Sequence, residues 1–169
     1  MFGGIWMVLA ASGVDGSTRA GILGVAIVVP AVLVLLATRS TRATIEAPRQ
    51  LPDAWRARLG RINAAQAGSI GVVAVTCGLL GVPSLIPVLV CAVVALHFVA
   101  LVPVFADKVY YWAAIGLGAA SAVGALVVGY SAAFSRITVG IGAAACLWAC
   151  AFVLLRRRAS SAEPATTPN

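Results

Sequence analysis

One histidine, His97, stands inside a long apolar run, and its type and place suit it to chemistry better than any other residue in the chain. An imidazole titrates near neutral pH and can donate a proton, accept one or ligate a metal. Far from other charges it reads as a ligand-binding, proton-relay or metal-binding group. The competing reading is a neutral histidine that joins two helices through a hydrogen bond. Counting residues in from the helix ends puts Ser69 and Ser121 within reach of the imidazole, and Cys146 at about its depth. A thiolate–imidazole metal site is conceivable on that count. Cysteine in an apolar run is more often a small packing residue, so the expectation is no metal and no cofactor. Cys146 and Cys150 are four apart and face one way, a geometry that does not suit a disulfide between them.

The carboxylates point away from catalysis. Asp15, Glu46, Asp53, Asp107 and Glu163 all lie outside the apolar runs. Proton-driven pumps and most cation-coupled carriers keep a carboxylate at mid-membrane, and acid–base enzymes commonly pair two. The chain has no glycine-rich phosphate loop with its lysine and no Cys-x-x-Cys pair. The expectation is a protein without catalytic residues, hence not an enzyme.

These residues must be positioned by membrane-spanning elements. Of 169 residues, 62% are hydrophobic and only 10% charged, against roughly 25% charged in a soluble domain. Too few charges remain to cover a water-facing surface, so lipid is the solvent. Four stretches lack Asp, Glu, Lys and Arg: 20–38, 62–106, 109–135 and 137–155. The second holds two spans, because Gly81-Val82-Pro83-Ser84 breaks it and Pro87 suits a first helical turn. The pattern predicts an all-α bundle with five transmembrane helices near 20–38, 62–80, 85–105, 109–131 and 137–155. A β-barrel needs alternation of apolar and polar residues, which these runs lack. The apolar segment 2–14 is short and reads as a packed half-helix, with a sixth span as the alternative. It lacks the preceding positive charge of a signal peptide. Residues 1–158 form one domain on this reading, and 159–169 a disordered tail.

Charge distribution gives orientation. Arg39, Arg42, Arg49, Arg56, Arg58, Arg61, Lys108, Arg156, Arg157 and Arg158 fall on one side, and Arg19 and Arg136 on the other. The positive-inside rule makes the 39–61 loop and the C-terminus cytoplasmic, in a bacterial inner membrane as judged from arginine- and alanine-rich composition. The net charge of +7 sits in short clusters between apolar runs. That suits anionic headgroups and not nucleic acid. Trp55, Arg56, Arg58 and Arg61 begin a helix that Asp53 can cap, and they read as an interfacial lipid anchor. Tyr110-Tyr111-Trp112 reads as an aromatic belt.

Small residues recur at helical spacing. Gly116, Ala120 and Gly124 form a stripe on the fourth span, with Gly140 and Ala144 on the fifth, and Ala64, Gly68, Ala67 and Gly71 on the second. Such stripes let backbones approach closely where no hydrophobic effect acts between helices. They serve a tight monomer first and a homo-oligomer second. Pro30 stands mid-way along the first span, where it shapes or gates the bundle.

The run His97-Phe98-Val99-Ala100-Leu101 resembles a His-Phe-x-x-Leu run of small uncharacterised bacterial multi-pass membrane proteins. That resemblance implies a helical membrane fold and no particular substrate. The functional expectation is a bundle that binds a small or lipidic ligand, membrane lipids or a membrane partner. The alternative is a small oligomeric transporter or channel.

Overall fold

A computed structural model of the chain describes residues 2–42 and 53–161, and the regular elements among them are helical. In order they are α1 (Phe2–Ala11), α2 (Gly16–Arg42), α3 (Asp53–Leu79), α4 (Ile86–Phe105), α5 (Lys108–Val128) and α6 (Ala132–Ser161). Helices α2 to α6 are long and apolar enough to cross a membrane. A helix suits lipid because every backbone N–H finds its carbonyl within the segment, where no water can replace it. Helix α1 has ten residues, about 15 Å of rise, which is half of a hydrocarbon core of about 30 Å. It is the short apolar segment and not a sixth span.

Several ends differ from those the apolar runs suggest. Helix α2 starts at Gly16 and reaches Arg42, and α6 covers Ala132–Ser161. Polar and arginine residues at a span's end stay helical because their long side chains reach water. The boundary expected at 158 therefore falls inside α6. The remaining tail, 162–169, and the loop segment 43–52 lie outside the described residues. Helix α5 stops at Val128 rather than 131, and Ser131 caps the start of α6, its Oγ accepting from the Phe134 N–H at 3.2 Å. The anchor expected at 53–61 and the second span form one unbroken helix, α3.

The break between α3 and α4 has a clear local cause. Gly81 takes a left-handed backbone (φ +69°), which a residue without a Cβ adopts freely. The Val82 N–H then donates to the Cys77 carbonyl at 2.9 Å, the bond that closes a helix end of this type. A 3-10 turn over Pro83–Leu85 follows, and Pro87 lies in the first turn of α4.

The helices pack as a row, α3–α4–α5–α6–α1–α2, with α6 also touching α4 and α2. The core lies in the middle of the row, around Cys91, Leu117, Val139, Ala143 and Ala144. Small residues set these distances. A Cβ added at Gly116 would stand 2.6 Å from the Cys146 Sγ, and one at Gly124 would overlap Val139. Ala120 meets Gly142. The stripe Gly116–Ala120–Gly124 is thus spent inside the monomer, against α6 and α4. Helix α1 lies antiparallel on α6, with Gly3 at Trp148, Trp6 and Ala10 at Gly140, and Gly13 at Ala133 and Ile137. On α3, by contrast, added Cβ atoms at Gly60, Gly68, Gly71 and Gly78 would meet nothing within 4 Å.

Candidate functional site

His97 is carried by α4, whose leucines and valines fill both the α5 side and the α3 side. Leu101 and Val104 turn inward and are buried. His97 and Val93 are four apart, one above the other on the face toward α3. There they line a groove of about 240 Å³ together with Leu96 and Ala100 from α4 and Ile62, Ala65, Gln66 and Ser69 from α3. The walls are chiefly apolar, and three polar side chains interrupt them.

The state of those three groups matters. The His97 Nδ1 is buried and has no hydrogen-bond partner, while the imidazole itself is hydrogen-bonded to the Ile62 backbone of α3. Gln66 is half-buried and Ser69 exposed on the groove side of α3. A buried polar atom left unpaired costs on the order of 1–3 kcal/mol, so it is retained where something else completes it.

Ser121, expected near the imidazole, is elsewhere. Its Oγ donates to the Val88 carbonyl at 2.9 Å, so it ties α5 to α4 instead. It belongs to a set of side-chain bonds to helix carbonyls in the core. The Cys91 thiol donates to the Leu117 carbonyl at 3.3 Å and the Cys146 thiol to that of Ala113 at 3.5 Å. Cys150 lies 3.9 Å from the Val109 carbonyl, and the Ser135 Oγ donates to that of Gly124 at 2.9 Å. The thiols of α6 thus face α5, whereas His97 faces α3, so Cys146 is not brought to the imidazole as depth counting allowed. Among the described residues no three His, Cys, Asp or Glu side chains gather to hold a metal.

The residues expected at a lipid interface lie where α3 and α5 begin and α6 ends. Asp53, expected to cap α3, accepts from Arg56. Trp55, Arg58 and Arg61 are exposed. Arg58 precedes Ile62 by four residues and Ser69 by eleven, so it stands on the same strip of α3 as the groove. Arg61 precedes Ala65 by four, at the groove's edge. The aromatic belt divides: Tyr111 and Trp112 are exposed, while the Tyr110 ring stacks on Phe105 with centroids 4.9 Å apart. Asp107 plays two roles that sequence reasoning missed. It caps α5 by accepting from the Val109 N–H at 2.9 Å, and it accepts from Arg157 at 3.1 Å. Its place just before an apolar run was the available signal for the cap. Arg136 Nε and Trp148 Nε1, both on α6, are also buried without partners, but neither lines this groove. Neither a family model, nor a curated protein, nor a solved structure matches the chain.

Proposed function

We propose that this is a non-enzymatic protein of the bacterial inner membrane that holds a small amphipathic or lipidic molecule between α3 and α4. One observation carries the reading: a buried, unpaired imidazole nitrogen in a groove with apolar walls. A ligand hydroxyl would donate to that nitrogen, an ester carbonyl would accept from the Gln66 amide beside it, and an apolar tail would fill the rest. The described carboxylates, Asp15, Asp53 and Asp107, stand at helix ends or in turns, which supports binding over acid–base chemistry. The excess of arginine on the side of the bundle where α3 begins and α6 ends supports a cytoplasmic placement of that side.

His97→Leu and His97→Gln test the proposal. A histidine that joins helices predicts a loss of about 1 kcal/mol for His97→Leu. An unpaired ligand-binding nitrogen predicts unchanged stability in detergent for both variants, together with loss of lipid co-purifying with the protein, read by mass spectrometry. Destabilisation by His97→Leu with an unchanged lipid complement would defeat it.

A second reading, a small oligomeric carrier, is favoured by the open glycine face of α3. It predicts a stable oligomer in detergent that Gly68→Leu dissociates. A monodisperse monomer before and after the change would remove it.

A further inference from the structure

We infer that the groove takes an anionic phospholipid of the arginine-rich leaflet, with its headgroup on Arg58 and Arg61 and one acyl chain between α3 and α4. The inference rests on the groove reading and adds the ligand's charge and direction. Arg58 lies one helical turn beyond Ile62 on the groove strip, and Arg61 one turn beyond Ala65. Side chains on a helix tilt toward its N-terminus, so both guanidinium groups lean from the groove toward the headgroup layer.

Their charges are available. The neighbouring Arg56 is occupied by Asp53, whereas Arg58 and Arg61 form no ion pair with any described residue. The remaining described carboxylate at that end, Asp107, is taken by Arg157. Among the described residues, nothing compensates these two positive charges at the groove mouth. Beyond them the lining runs from Ile62 and Ala65 through Gln66, Ser69 and His97 to the apolar wall at Val93. That order matches a phospholipid from phosphate through ester to chain. A neutral amphiphile would leave the arginines unused, and a free anion would leave the apolar wall exposed to lipid alone.

The test is native mass spectrometry of the full chain in detergent, titrated with phosphatidylglycerol or phosphatidylcholine of identical chains. Phosphatidylglycerol is expected to bind at least five-fold more tightly. Each arginine contributes roughly five-fold, so Arg58→Gln with Arg61→Gln should bring phosphatidylglycerol to the affinity of phosphatidylcholine. Arg156→Gln, on α6, should change neither. His97→Leu should weaken both lipids, and inorganic phosphate in large excess should displace neither. Equal binding of the two lipids, with both dependent on His97, overturns the charge assignment and leaves the groove reading standing. Binding indifferent to His97 removes the groove reading and this inference with it. An equal loss from Arg156→Gln would reduce the effect to general surface attraction. Displacement by phosphate would mark a free-anion site. Either result overturns the assignment.

Discussion

Ala106, between α4 and α5, holds a left-handed backbone with φ 51° while its N–H closes α4 on the Val102 carbonyl at 2.8 Å. A Cβ in that region costs roughly 1–2 kcal/mol, and glycine escapes the cost. Ala106→Gly should therefore raise the melting temperature in detergent, with a gain of about 1 kcal/mol and no change in oligomeric state. A lower melting temperature would show that the turn is held by something other than this backbone geometry. Gly124 presents the opposite case, since any Cβ there overlaps Val139 and crowds Val88 at 3.2 Å. Gly124→Leu should abolish folded expression or cause aggregation, whereas Gly118→Leu, with open space around it, should be tolerated. Size-exclusion chromatography reads both, and a well-folded monomer from Gly124→Leu would refute the internal packing. Depth counting placed Ser69 and Ser121 at one level with His97, yet only Ser69 shares its groove. Counting along a helix fixes height in the membrane but not rotation about the helix axis. That angle is decided by which face finds a neighbour, and α5 turns Ser121 toward Val88.

At the scale of elements, spans were legible because a run without charges long enough to cross lipid has few other uses. Their ends were not, since arginine, serine and glycine are compatible with both helix and loop at the headgroup level. The α3–α4 turn was legible from Gly81 and Pro83, residues whose backbone limits are local. The row order was not, because every span is apolar all round and so carries little record of its partner. Helix α1 depends on glycines that belong partly to α6: an added Cβ at Gly140 would lie 2.5 Å from the Trp6 carbonyl. Gly140→Val should therefore displace α1 while leaving α4, α5 and the rest of α6 packed. A cysteine placed at the buried Ala10, with the native cysteines replaced, should react with a maleimide only in the Gly140→Val background. Equal protection in both would mean that α1 tolerates the bulk by shifting along α6. The Asp107 cap gives a graded case: Asp107→Ala should cost about 1 kcal/mol. Asp107→Asn keeps an acceptor for the Val109 N–H and loses chiefly the ion pair, a half-exposed contact of small value.

For the whole molecule, five helices long enough to span, taken in alternation, would put the α3–α4 turn and the start of α3 on opposite sides of the membrane. Single cysteines at Ser40 and Ser84 should be labelled by an impermeant reagent from opposite sides of intact and inverted vesicles. Labelling from one side would end the five-span arrangement. Helix α3 stands at the end of the row with α4 as its main neighbour, and it has no break between Asp53 and Leu79. The nine residues that precede the groove are therefore not a hinged foot lying on the surface but the handle of a lever about 40 Å long. A change of tilt applied at Trp55 is expected to carry along this continuous helix to the groove wall at Ala65. A spin label at Ala65 should shift when Trp55 is cross-linked to a rigid partner. Gly60→Pro, which breaks a helix at a cost of about 3 kcal/mol, should uncouple the two ends and leave that label still.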